Sequence, residues 1–153
     1  MAGRAGRPLE RPSAFWDTSA LVPLCAHQEI TPRVIALYRN YGMVVWWATP
    51  VEITSALRRL VRMKQLTPDD WVTSQRLALD LAESWRIVQP SDALRNQATQ
   101  LVERYDLKAG DAMQLAAALD WCEDSPRGEI FLTADQKLRA AAVMSGFDGK
   151  VIH

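Results

Sequence analysis

Histidine and cysteine are scarce in this chain of 153 residues, with two of each. His27 and His153 neighbour none of the candidate acids below, which argues against a histidine-dependent triad or a multi-histidine zinc site. Cys25 and Cys122 stand far apart with no CxxC spacing, and they read as buried free thiols of a reducing cytoplasm. No apolar run approaches the ~20 residues that span a bilayer. An excess of either charge is also missing, since 18 basic residues balance 18 acidic ones. That balance argues against a broad surface tracking duplex phosphates, and leaves room for a small basic patch beside an acidic pocket. GxGxxG, the Walker lysine motif and the GxSxG elbow do not occur. Internal repeats and low-complexity segments are absent too. The opening MAGRAGRPLERPSA lacks the apolar core of a signal peptide, so residues 1–14 are expected to form a flexible, arginine-bearing tail.

What is present is ordinary globular composition, 48% hydrophobic and 24% charged, expected to make one domain over residues 15–153. Short β-branched and aromatic runs alternate with helical periodicity. FW at 15–16, MVVWWA at 43–48, RIV at 86–88, EIFLTAD at 129–135 and KVI at 150–152 read as strands. Helices are expected over 19–26, 31–41, 51–64, 67–84, 91–105, 110–119 and 136–143. Thr31-Pro32, Thr67-Pro68 and Ser91 supply start signals. Within this set DAMQLAAAL, residues 111–119, is apolar on nearly every side and therefore central. Alternating strands and helices imply a three-layer α/β fold with a mostly parallel sheet between helices. No strand separates the two helices between Val51 and Ser84, which leaves them free to project as a hairpin. Their basic side carries Arg58, Arg59, Arg62 and Lys64.

The stretch FWDTSALVPL, residues 15–24, sets a carboxylate and two hydroxyls where strand should give way to helix. Asp17 could be a helix cap. It could equally belong to a site at the C-terminal edge of a parallel sheet, where such folds bind ligands. Three more acids fall on the same edge: Glu52 opens the helix after the second strand, Asp111 opens the central helix behind Gly110, and Asp135 follows IFLTA. Each alone can be a cap or a dipole partner. Together they repel, since two such charges ~4 Å apart cost roughly 4 kcal/mol at an effective dielectric near 20. Something positive should sit between them. An all-carboxylate set suits Mg²⁺ or Mn²⁺ rather than zinc or copper. Such sites are well suited to phosphodiester hydrolysis, because the ion activates water and offsets charge on the phosphate.

Four segments then resemble the four motifs of PIN-domain ribonucleases, most nearly the VapC-type toxins of bacterial toxin–antitoxin pairs. They are FWDTSAL (15–21), VEITSAL (51–57), AGDAMQLA (109–116) and LTADQKL (132–138). The resemblance runs from about Phe15 to Ile152. It implies that Asp17, Glu52, Asp111 and Asp135 hold Mg²⁺ or Mn²⁺, with Ser19 and Thr133 as hydroxyl supports. It further implies an RNA substrate, a homodimer and inhibition by an antitoxin. Asp17 and Asp111 would be the principal ligands, Asp135 would complete the shell, and Glu52 would position or deprotonate the attacking water. One departure is the bulky WWATP of residues 46–50 before Glu52, where a small polar turn is expected.

Several other residues have simpler explanations. Asp92, behind the cap Ser91, reads as a dipole complement, and Asp69 and Asp70 as first-turn acids. Arg59 lies two turns beyond Glu52 on the same helical face, where it could reach a phosphate or merely be solvated. Adjacent strand positions send Trp46 and Trp47 to opposite faces, and Trp16 should pack inward. Two rivals to a nuclease remain. A catalytically silent binding scaffold of the same fold would have no use for four repelling acids. A phosphoacceptor receiver domain would want paired acids after its first strand and a lysine after its last, whereas Asp17 is followed by Thr18 and Ser19, and Lys150 opens the last strand rather than following it.

Overall fold

Strand-forming and helix-forming segments alternate as the periodicity requires. The structure, a computed structural model, describes residues 11–26 and 31–152. His27, His153 and residues 1–10 of the expected tail lie outside the described residues. Five strands, β1 (Ser13–Trp16), β2 (Gly42–Trp46), β3 (Arg86–Val88), β4 (Ile130–Thr133) and β5 (Asp148–Val151), form one sheet in the order β3-β2-β1-β4-β5. Every pairing is parallel. Seven helices connect them among the described residues: α1 (Thr18–Cys25), α2 (Thr31–Asn40), α3 (Thr49–Arg62), α4 (Pro68–Ala82), α5 (Asp92–Tyr105), α6 (Ala109–Trp121) and α7 (Gln136–Ser145).

The pleat sorts the strand side chains between two cores. Phe15, Val44, Trp46 and Phe131 face the helices α5–α7, while Ala14, Trp16, Val45 and Leu132 face α1–α4. Phe15 and Phe131 stack at 5.4 Å across β1 and β4. Strands buried on both faces explain the continuous apolar runs. Helix α6 is central as expected, with Ala112 and Gln114–Leu119 all buried. The architecture is the expected three-layer α/β sandwich.

Four expectations need correction. Ser13 and Ala14 belong to β1 rather than to a tail, because Ser13 pairs with Gly42 and Ala14 with Met43 and Ile130. Strand β2 ends at Trp46; Trp47 is 54% exposed at the following turn, and α3 then starts at Thr49, two residues early. The α3–α4 hairpin does not project: α4 packs on α1 as well as α3, and Trp71, Ala78 and Leu81 join their apolar core. Cys25 is buried, and burial pushes its thiol up to about 12, but Cys122 is only half-buried. No helix among the described residues is long and apolar enough to cross a membrane.

Candidate active site

The C-terminal edge of the sheet brings the four acids to one pocket of about 370 Å³, which Asp17, Glu52, Asp111 and Asp135 line together with Arg59. Asp17 stands at the N-cap position of α1 and Glu52 in the first turn of α3. Asp111 lies in the first turn of α6, and Asp135 at the N-cap of α7. Two, Asp17 and Asp111, are not explained as caps, for neither α1 nor α6 has a side-chain capping bond. Asp135 is one, accepting from the Leu138 N–H at 2.8 Å. Cap and pocket residue proved compatible there, since the bond uses Oδ1 alone.

Asp17 is 4% exposed and is held by two hydroxyls that converge on its Oδ2. Ser19 donates to it at 2.5 Å and Thr133 at 2.9 Å. Both hydroxyl oxygens are themselves acceptors, Ser19 from the Ala134 N–H at 2.8 Å and Thr133 from the Asp135 N–H at 3.0 Å. The β4–α7 turn thus orients each hydroxyl proton onto the carboxylate. Ser19 and Thr133 are thus the two hydroxyls bonded to Asp17. Burial nonetheless pushes the Asp17 carboxyl above its usual range, the two hydroxyls opposing and the charge of Glu52 adding to it.

Asp111 is raised to about 6, first by burial and then by the charges of Asp17 and Asp135; Lys108 and Lys137 offset part of this. The predicted repulsion is therefore present, centred on Asp111. Among the described residues, no group of three or more His, Cys, Asp or Glu side chains is disposed to hold a metal ion as it stands. The four acids share the pocket wall, and the hydrogen bonds of Asp17, Glu52 and Asp135 go to different partners.

Two residues of the site escaped the sequence reading. Gln114, 1% exposed, donates through Nε2 to Glu52 Oε2 at 2.5 Å and to Thr18 Oγ1 at 3.0 Å. Thr18 in turn donates to the same Glu52 oxygen. Glu52 is thus tied to α6 and α1, and its α3 backbone need not fix it alone. The available signal was a lone amide in the apolar helix DAMQLAAAL, three residues past Asp111 and so on its face. The bulky WWATP segment does not displace Glu52, because Trp46 packs into the core while Trp47 turns outward.

Arg59 lines the pocket. Asp92 does not come to the site; it lies 3.7 Å from exposed Arg95 in α5. Asp70 closes a capping box with Thr67.

The sequence profile of the PIN domain family matches residues 14–144. Among solved structures, the chain is similar to a toxin–antitoxin complex from Klebsiella pneumoniae, with a TM-score of 0.60 and 18% identity, over 84% of this chain and 91% of the other. It is also similar to PAE2754 from Pyrobaculum aerophilum, with a TM-score of 0.63 and 20% identity, over 90% and 89% of the two chains. No curated protein matches with significance. At these identities the structural likeness speaks for the fold, and the profile, spanning all four acids, speaks for the family. The chain belongs to the PIN domain family, a family of nucleases.

Proposed function

We propose that this protein is a Mg²⁺- or Mn²⁺-dependent endoribonuclease that hydrolyses RNA phosphodiester bonds and serves as the toxin of a toxin–antitoxin pair. The observation that carries this is the meeting of Asp17, Glu52, Asp111 and Asp135, from four separate elements, in one pocket. A hard divalent cation fits the donor set, which is all carboxylate and hydroxyl oxygen, and fits the raised Asp111 carboxyl, whose repulsion a cation would relieve. Asp17 and Asp111 would be its principal ligands and Asp135 would complete the set through the oxygen its cap leaves over. When bound, the ion supplies activated water near neutral pH and offsets charge on the phosphate.

The chain's own residues do the rest. Ser19 and Thr133 keep Asp17 fixed in rotamer. Glu52, with Oε2 held by Thr18 and Gln114, is placed to orient an attacking water or take its proton. Arg59 is placed to bind a phosphate oxygen. Similarity to a toxin–antitoxin complex supports an antitoxin partner. A homodimer and a cytoplasmic location complete the reading, the latter resting on two free thiols.

Production of the chain alone in bacteria should arrest growth, and the purified protein should cut RNA in Mg²⁺. Growth without arrest, together with intact RNA after incubation, would leave the silent scaffold instead. Within this reading Gln114→Leu keeps the volume and loses the amide. Cleavage should slow by about tenfold, the worth of a hydrogen bond to a charged group, with little change in KM. A kcat within twofold of wild type would remove Gln114 from the machinery.

A further inference from the structure

Three of the four acids are held by hydrogen bonds. The hydroxyls of Ser19 and Thr133 hold Asp17, Thr18 and Gln114 hold Glu52, and the Leu138 N–H holds Asp135. The Asp111 carboxylate accepts no hydrogen bond from the described residues. Helix α6 also lacks a side-chain cap, so the placing of Asp111 falls to the turn that leads into α6. That turn leaves α5 at Asp106 and reaches Asp111 five residues on. The backbone of Asp106 is left-handed, with φ of 52°, a conformation that costs an aspartate more than it costs a glycine. Such a residue persists where its surroundings hold it.

Two residues hold this turn. Leu107 is buried in the core on its inner side. On the outer side, Lys137 Nζ donates to the Asp106 carbonyl at 2.6 Å and lies 3.5 Å from the Asp106 carboxylate. Of the two ion pairs between described residues, Arg95–Asp92 spans three positions of one helix, whereas Lys137–Asp106 ties α7 to the end of α5 across 31 positions. Lys137 stands in the first turn of α7, where the helix dipole disfavours a cation. Capping the C-terminal end of α5 offsets that cost and is the simplest account of the residue. It does not account for the reach of this lysine to Asp111, whose carboxyl its charge lowers against the burial and the neighbouring acids that raise it.

We infer that Lys137 is a positioning residue of the site: by gripping the Asp106 carbonyl it fixes the α5–α6 turn, and with it the place of Asp111 in the pocket. The start of α7 then holds two of the acids, Asp135 through its cap and Asp111 through the turn. This rests on the nuclease reading above and deepens it, since it concerns how the same four acids are kept in register.

The test compares Lys137→Met, which keeps an unbranched stem but loses the charge and the donors, with Lys137→Arg, which keeps both. RNA cleavage, calorimetric titration of Mn²⁺ and Tm are read on each. Arg95→Ala, which breaks the other ion pair, is the control and should match the wild type. The Met variant should lose about tenfold in kcat and about tenfold in Mn²⁺ affinity, the lower end for groups that orient metal ligands, with KM little changed. The Arg variant should recover most of both. Tm should move by no more than about 3 °C, because an exposed ion pair adds little to stability. The sign of the Mn²⁺ change decides the matter. Charge alone would act the other way, since removing one cation from beside the pocket favours a second. Tighter or unchanged Mn²⁺ binding by the Met variant overturns the positioning role. So does a rise in KM at unchanged kcat, which would make Lys137 a phosphate contact. Either result leaves the nuclease reading standing if the wild type cuts RNA. A wild type that neither cuts RNA nor binds Mn²⁺ ends that reading, and the role of Lys137 with it.

Discussion

Asp111→Asn should abolish RNA cleavage and at the same time stabilise the metal-free protein. The substitution keeps the shape and removes one negative charge. Because α6 has no side-chain cap, no capping bond is at stake. Activity should fall by at least on the order of a hundredfold, a loss that changes to outer-shell partners of metal ligands already reach. Stability should rise, since folding pushes the Asp111 carboxyl from 3.8 to about 6 through burial and the charges of Asp17 and Asp135. The sign follows from linkage. The folded chain holds this proton more tightly than the unfolded one. Its contribution is therefore full below pH 3.8 and is lost as pH rises through about 6. Chelated wild type should weaken across that window, and the Asn variant should lack this component. At neutral pH the variant's gain should be on the order of 1 kcal/mol, or about 2–4 °C in Tm for a chain of this size. Normal cleavage with unchanged melting would return Asp111 to an ordinary first-turn acid.

Excess chelator should stop RNA cleavage by the wild type, and Mg²⁺ or Mn²⁺ should restore it. With no imidazole among the pocket residues, the wall offers carboxylates, hydroxyls and Arg59 as its polar side chains. None of these activates water near neutral pH as well as a divalent ion does. The ion should also raise Tm, because it binds the folded state and relieves the crowding around Asp111. At a hundredfold excess over its Kd the gain is about 2.7 kcal/mol. Asp111→Asn should shrink this metal-dependent gain along with activity. Undiminished cleavage in EDTA would sink the mechanism.

Much of the fold was legible because the apolar runs and helix punctuation agree with one another. Thr67, Ser91 and Asp135 each cap the helix they precede. What misled was side-chain character at the edges of elements. MVVWWA looks like six residues of strand, but Trp47 lies at a turn, its N–H bonded to the Val88 carbonyl. Strand β5 starts two residues before its apolar KVI, because backbone pairing of Asp148 with Ile130 extends it through polar positions. The hairpin was misjudged for a related reason: its basic residues are conspicuous, whereas Trp71, Ala78 and Leu81 reveal their inward face only once α1 is beside them.

The site divides the same way. Its four acids could be found because a parallel sheet gathers strand ends and helix starts on one edge. Gln114 and Thr18 could not, because they act on Glu52 from 62 and 34 residues away in sequence. Only the fold makes those distances short. A single amide inside an apolar helix looks like a tolerated exception until its partner is known.

Calorimetric titration of Mn²⁺ into the purified wild type and into Asp111→Asn tests most directly whether the four acids form a cation site. Saturable binding by the wild type, lost or severely weakened in the variant while its fold survives, is the predicted result. Identical isotherms for the two proteins, or no binding by a wild type that still cuts RNA, would contradict it.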